Sequence, residues 1–187
     1  IGAEEAGIEH IISRISSLEG DFRIRLSSLE PAVINAEYVK RLMKYDKLCH
    51  HLHLSAQSGS SHVLELMNRP YNVEDYMDIV RVLRSCDPYY GISTDIIAGF
   101  PGETEEDFRG SLELIEKAGF CKVHGFKYSK REGTAAALMK DQIPAEIKNS
   151  RMERLLDAGE NCARRFFEGC VGQRRIVLFE EQEGEYV

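Results

Sequence analysis

Apolar positions recur along this chain with two alternating periods. Ile8, Ile11, Ile12 and Ile15 fall on one side of a helix predicted over residues 3–18, with Gly20 as its end. Phe22-Arg23-Ile24-Arg25-Leu26 alternates apolar and basic residues, the period of a strand with one exposed face, and Ser27-Ser28-Leu29-Glu30-Pro31 closes it. A helix predicted over 36–46 carries Tyr38, Leu42 and Tyr45 on one side. His50-His51-Leu52-His53-Leu54-Ser55-Ala56 reads as the next strand and runs into Gln57-Ser58-Gly59-Ser60. Ser60 or Ser61 caps a helix with Val63, Leu64 and Met67, which Asn68-Arg69-Pro70-Tyr71 breaks. Asn72 caps another, carrying Tyr76, Ile79, Val80 and Leu83, which stops before Asp87-Pro88. A strand over 91–98, a helix over 104–118 ended by Gly119, a strand over 121–128 and a long helix over 144–168 complete the pattern.

Four strands alternating with helices predict an α/β fold, either a parallel sheet or part of a TIM-like barrel. The pattern changes between Gly169 and Gly172. Residues 174–181 read as a strand, 182–184 as a turn and 185–187 as a return strand. The expected division is therefore a barrel part over 1–170 and the start of a small β domain over 171–187.

Within this frame Ser93 to Thr104 stands out. An apolar run bearing one acid, Asp95, stops at Gly99, turns through Pro101-Gly102 and meets Thr104, a good N-cap. Asp107 three residues on approaches a capping box, and Glu103, Glu105 and Glu106 suit the positive end of a helix dipole. In parallel α/β proteins such a loop lies at the carboxyl end of its strand, where ligands bind. The plainer reading is that Gly99 and Gly102 only permit the turn.

The chain has 187 residues, enough for one domain with an appendage, and its composition is that of an ordinary soluble protein. Ile1 is not an initiating residue, so a processed or cut N-terminus is expected. Five scattered cysteines with no CxxC or CxxxCxxC spacing suggest reduced thiols and a cytoplasmic protein. No run has the length of a membrane span. The net charge of −7 argues against a large nucleic-acid footprint on this piece.

Polar residues gather at the strand ends. Ser28 and Glu30 precede Pro31, and Glu30 suits either a ribose or amine contact or the cap of the next helix. Gln57-Ser58-Gly59-Ser60 offers an amide, hydroxyls and bare N–H groups at a helix start, suited to a carboxylate or phosphate, or forms an ordinary N-cap. His51 and His53 share a strand face, but no carboxylate or cysteine completes a metal set nearby, so packing in the barrel or on its rim is expected. Lys127, Lys130 and Arg131 form a basic patch suited to phosphate, or a solvated loop. No Ser/His/Asp arrangement or P-loop signature is present.

Taken in order, five motifs resemble the radical S-adenosylmethionine methylthiotransferases. They are Arg23 to Pro31, His51-Leu52-His53-Leu54-Ser55-Ala56-Gln57-Ser58-Gly59-Ser60, Met67-Asn68-Arg69-Pro70-Tyr71, Asp95 to Thr104, and Tyr128-Ser129-Lys130-Arg131-Glu132-Gly133-Thr134. Ser27-Ser28-Leu29-Glu30-Pro31 is most similar to the branch acting on threonylcarbamoyladenosine in tRNA. The resemblance implies a partial TIM-like barrel that uses S-adenosylmethionine and 4Fe-4S clusters to install a methylthio group on a tRNA adenosine beside the anticodon. It also implies that the cluster-binding CxxxCxxC loop and an N-terminal domain lie upstream of this piece. The piece would then be inactive alone, and 171–187 would begin a truncated TRAM domain. Carried onto this sequence, Ser28, Glu30, Gln57, Ser58, Asp95, Gly99 and Glu103 would line the cofactor side. Arg69 would meet a carboxylate or phosphate, and Lys127 and Arg131 would face the tRNA. The missing strands would leave a sheet edge open to pairing with a second copy. Other radical S-adenosylmethionine enzymes, coproporphyrinogen-oxidase-like or elongator-like, and a non-catalytic tRNA-binding module are the alternatives.

Overall fold

The computed structural model describes residues 7–176. Its elements are α1 (Ile8–Ser16), β1 (Ser28–Leu29), α2 (Ala36–Leu42), β2 (His51–Leu54), α3 (Ser61–Leu66), α4 (Val73–Cys86), β3 (Gly91–Ala98), α5 (Glu105–Ala118), β4 (Lys122–Lys127), α6 (Ala135–Leu138) and α7 (Ala145–Cys170). The strands form one parallel sheet in the order β1-β2-β3-β4, each joined to the next by helical crossovers. The α/β fold expected from the alternating periods is the one observed.

Strand burial explains the layering. In β2, Leu52 and Leu54 are buried, whereas His51 and His53 are half-buried. Leu52, Leu54, Ile92, Ile96, Ala98 and Val123 belong to one core with Ile79, Leu83, Phe108, Ile115 and Leu155 of the helices. The alternate residues, His51, His53, Asp95, His124 and Phe126 among them, lie on the other face of the sheet. A parallel sheet covered on both faces reads as continuous apolar runs. The His-Leu-His-Leu alternation marks a sheet whose second face is polar.

The helix termini follow local chemistry. Asn72 and Thr104 each form a capping box, with Asp75 and Asp107. Gly119 ends α5 in the left-handed conformation. The loop before α3 meets α5 backbone to backbone: a Cβ on Gly59 would stand 2.4 Å from the Gly110 carbonyl oxygen, so only glycine fits there.

The first strand departs from expectation. Ile24 makes a single bridge to Leu48, and the regular ladder begins only at Ser28 opposite His53. From one pairing to the next this strand advances four residues and its neighbour five, so the register slips and Phe22–Leu26 cannot form a continuous ladder. The second helix closes at Leu42, four residues early, and α6 occupies a stretch to which the periodicity assigns no element.

Beyond α7, residues 171–176 form a turn and irregular chain, and most of the expected strand over 174–181 lies outside the described residues. Arg175 returns to Asp87 ahead of β3, donating two hydrogen bonds of 2.6 and 3.0 Å. The Arg175 guanidinium, with further bonds from His50 and the Tyr89 N–H, holds the Asp87 carboxyl well below the usual range.

Candidate functional site

The site is built around an irregularity at the end of β2. Between the pairs His53↔Ser93 and Gln57↔Ile96, β2 advances four residues and β3 only three. One residue is therefore extra, and Gln57 absorbs it in the left-handed region at φ 64°. The backbone groups that the bulge takes out of the ladder are satisfied by side chains from the core. Ala56 N–H donates to Thr94 Oγ1 at 3.0 Å, Tyr76 Oη donates to the Leu54 carbonyl at 2.8 Å, and Tyr71 Oη reaches the Ser55 carbonyl at 3.3 Å. Burial pushes the Tyr71 hydroxyl up to about 12, so it remains a donor at any working pH. Gln57 then re-enters the sheet by donating to the Asp95 carbonyl and accepting from Ile97 N–H.

The bulge turns Gln57 into a cavity of about 580 Å³ at the carboxyl ends of β3 and β4. Ile97, Phe100, Phe126 and Tyr128 supply its apolar wall, with Phe100 and Tyr128 edge to face at 5.3 Å. Gln57 and Asp95 supply polar groups, and the exposed Lys127 and Arg131 line its outer part. Lys127 Nζ donates to Asn149 Oδ1 of α7 at 3.0 Å. An aromatic wall with one amide, one carboxylate and two cations can hold a flat heterocycle bearing both charged and hydrogen-bonding substituents.

The loop from β3 to α5 closes this cavity on one side, and a buried ion pair shapes it. Glu103 is 2% exposed and Arg151 5%. Glu103 Oε2 accepts from Gly99 N–H at 2.7 Å and from Arg151 Nη1 at 2.6 Å. Burial pushes the Glu103 carboxyl up, against the pull of Gly99 N–H and Arg151. Gly99 has φ 77°, and a Cβ there would stand 2.2 Å from Lys148 Cγ. Asp107, at the start of α5, accepts from Ser60 Oγ at 2.5 Å and His62 Nδ1 at 3.1 Å as well as from Thr104. Burial alone would raise its carboxyl, but these bonds outweigh it and hold it at about 2.

The expected site residues therefore divide. Gln57, Asp95, Lys127 and Arg131 meet at one cavity. Ser28 lines a second one, of about 420 Å³, with Arg25, His51, His53, Ser93 and His124. Glu30 and Arg69, assigned separately to cofactor and substrate, are bonded to each other at 2.8 Å. Ser58 is buried and its Oγ accepts from Ser60 N–H. Glu103 faces the inside of its own loop, because Gly99 N–H and Arg151 hold it there, and neither it nor Ser58 lines a described cavity. Phe100 lies in the Gly99 to Glu103 loop expected beside the cofactor, whereas the sequence reading singled out neither Phe126 nor Tyr128. The signal was present in two aromatics of the last strand and its loop beside the Gly99-Phe100-Pro101 turn.

Among the described residues, no three His, Cys, Asp or Glu side chains converge on a point that would hold a metal ion. Burial pushes the Cys121 and Cys162 thiols up, away from the thiolate form that metals bind. Among the described residues, no helix is long and apolar enough to cross a membrane.

The Radical SAM superfamily profile matches residues 4–115. The chain is 42% identical over 175 residues to the threonylcarbamoyladenosine tRNA methylthiotransferase MtaB of Thermotoga maritima, covering 94% of this chain and 40% of that protein. It is 39% identical over 170 residues to the tRNA-2-methylthio-N(6)-dimethylallyladenosine synthase of Acetivibrio thermocellus, covering 91% of this chain and 35% of that protein. Among solved structures, coproporphyrinogen III oxidase of Escherichia coli, described as a radical SAM enzyme, superposes with a TM-score of 0.66 at 19% identity. That match covers 82% of this chain and 37% of the oxidase. Methanocaldococcus infernus Elp3 gives a TM-score of 0.53 at 14% identity, covering 88% of this chain and 45% of that one. The coproporphyrinogen-oxidase-like and elongator-like proteins thus share its fold, while the curated sequence relatives are methylthiotransferases.

Proposed function

We infer, for a chain that belongs to the radical SAM superfamily, that it forms the later strands of the catalytic barrel of a tRNA methylthiotransferase. The substrate adenosine is threonylcarbamoyladenosine beside the anticodon. Ser27-Ser28-Leu29-Glu30-Pro31 and the 42% identity to a threonylcarbamoyladenosine-modifying enzyme support that branch. The observation that carries the reading is the cavity joining Gln57 and Asp95 to an aromatic wall at the strand ends.

S-adenosylmethionine fits this donor set: the aromatic wall suits its purine, Gln57 a hydroxyl or amide partner, and the Asp95 carboxylate a cationic substituent. When bound with a 4Fe-4S cluster, it supplies the radical that removes a hydrogen atom from the substrate. The cysteines of this chain do not suit that cluster, and its ligands belong to another part of the protein. Gln57 and Asp95 bind and orient the cofactor, and Phe100 and Tyr128 exclude water from it. Lys127 and Arg131 hold phosphates of the tRNA. A net charge of −7 leaves most of the tRNA affinity to other regions.

The test uses the full-length protein. Gln57→Ala and Asp95→Ala should each weaken S-adenosylmethionine binding by about tenfold, the loss of one charge-assisted or well-buried hydrogen bond. Mass spectrometry of tRNA nucleosides should show loss of the methylthio derivative. Unchanged cofactor affinity in both variants refutes the site. For Lys127→Ala with Arg131→Ala, the salt slope of tRNA binding should fall by about two.

A further inference from the structure

His53 belongs to a hydrogen-bonded row that the proposed function leaves unused. Its Nδ1 lies 3.0 Å from Ser93 Oγ, and its Nε2 lies 3.1 Å from Ser55 Oγ and 3.2 Å from Asp95 Oδ2. Ser55 Oγ reaches the same Asp95 oxygen at 3.1 Å, and Ser93 Oγ is 3.4 Å from His51 Nε2. The register of β2 and β3 produces this row by setting His53 directly beside Ser93.

One arrangement of hydrogens satisfies all these contacts at once. An Asp95 carboxylate only accepts, so Ser55 gives it the hydroxyl hydrogen and in turn accepts from His53 Nε2–H. In the tautomer with its hydrogen on Nε2, His53 carries a lone pair on Nδ1, which takes the hydrogen of Ser93. Ser93 oxygen accepts from His51 Nε2–H, leaving the buried His51 Nδ1 as the one unpaired end of the row. Every donor points toward Asp95, the only carboxylate in the row, and Asp95 is also the residue that lines the larger cavity.

Resting on the reading that this cavity takes S-adenosylmethionine, we propose that His53 is a positioning residue for Asp95. Its Nε2–H, shared between Ser55 Oγ and Asp95 Oδ2, and the Ser55 hydroxyl fix the rotamer of the carboxylate, so that the free oxygen receives a cationic group of the cofactor. His53 itself does not touch the cofactor. A packing role would require the ring's shape, whereas this role requires a donor at the position of Nε2.

The difference is measurable as cofactor affinity in the full-length protein, with melting temperature followed alongside. Wild-type protein that binds no S-adenosylmethionine would overturn the underlying functional reading and not the geometry of the row. Given wild-type binding, His53→Leu should weaken it about tenfold, and His53→Gln, whose amide nitrogen replaces Nε2–H, should restore it to within about threefold. Ser55→Ala removes one hydroxyl without emptying the sheet face. It should cost about threefold, and it carries the test if His53→Leu lowers the melting temperature. Equal losses for His53→Leu and His53→Gln, or unchanged affinity in Ser55→Ala, would overturn the proposal.

Discussion

Arg151 of α7 and Glu103 of the β3–α5 loop form a buried ion pair at 2.6 Å between residues 48 positions apart. Arg151 Nη1 also donates to the Glu103 carbonyl oxygen at 3.1 Å, so one guanidinium fixes both the side chain and the backbone of the loop. The last long helix thereby sets the turn that carries Phe100 into the cavity.

Breaking one side of such a pair leaves a buried charge without its partner. Arg151→Met should destabilise the protein by about 3–5 kcal/mol in chemical denaturation. The double variant with Glu103→Gln should recover most of the loss, since a neutral amide still accepts from Gly99 N–H. Additive losses in that double-mutant cycle would show that the two residues act independently.

The bulge at Gln57 rests unequally on its supports. Thr94→Val removes the partner of the buried Ala56 N–H and should cost about 1–3 kcal/mol. Tyr71 Oη makes only long contacts, 3.3 and 3.4 Å, so Tyr71→Phe should cost less than about 1 kcal/mol. Thermal melts of the two variants should rank in that order, and cofactor affinity should fall with Thr94→Val because Gln57 moves.

Asp107 gives stability a defined acid limit. Its carboxyl is held at about 2 in the fold, below the ordinary value near 4, so the folded state binds fewer protons than the unfolded one over that window. The resulting stabilisation, roughly 2 kcal/mol, is fully present above about pH 4 and fades as pH falls toward 2. Asp107→Asn should therefore be less stable than wild type at pH 7 by about that amount, with the gap closing between about pH 4 and 2.5. Urea denaturation across the pH series reads it directly, and a gap independent of pH would contradict the assignment.

How far the sequence disclosed these features depends on their range along the chain. β3 coincides with its expected span, and the Thr104 cap with Asp107 is found as read, because both are decided by residues a few positions apart. The α/β class followed from the same local periodicities. The bulge was hidden because it is a difference in advance between two strands, visible only when His53 and Gln57 are counted against Ser93 and Ile96. Glu103 stood in the loop where ligand contact was expected, and nothing nearby in sequence announces Arg151 as its partner. His53 illustrates a third case: its strand face was correctly read, but its hydrogen bonds to Ser93 and Asp95 depend on the register with β3.

The bond between Arg175 and Asp87 fixes the point from which the chain departs. Asp87 precedes β3, whereas Gln57 and Asp95 look into the cavity toward the far end of that strand. Eight residues of strand at about 3.3 Å each separate the two ends by roughly 25 Å. Arg175 thus stands at the amino end of the strands, remote from the carboxyl ends that frame the cavity. A ligand touching both Arg175 and Gln57 at once must extend over a comparable distance.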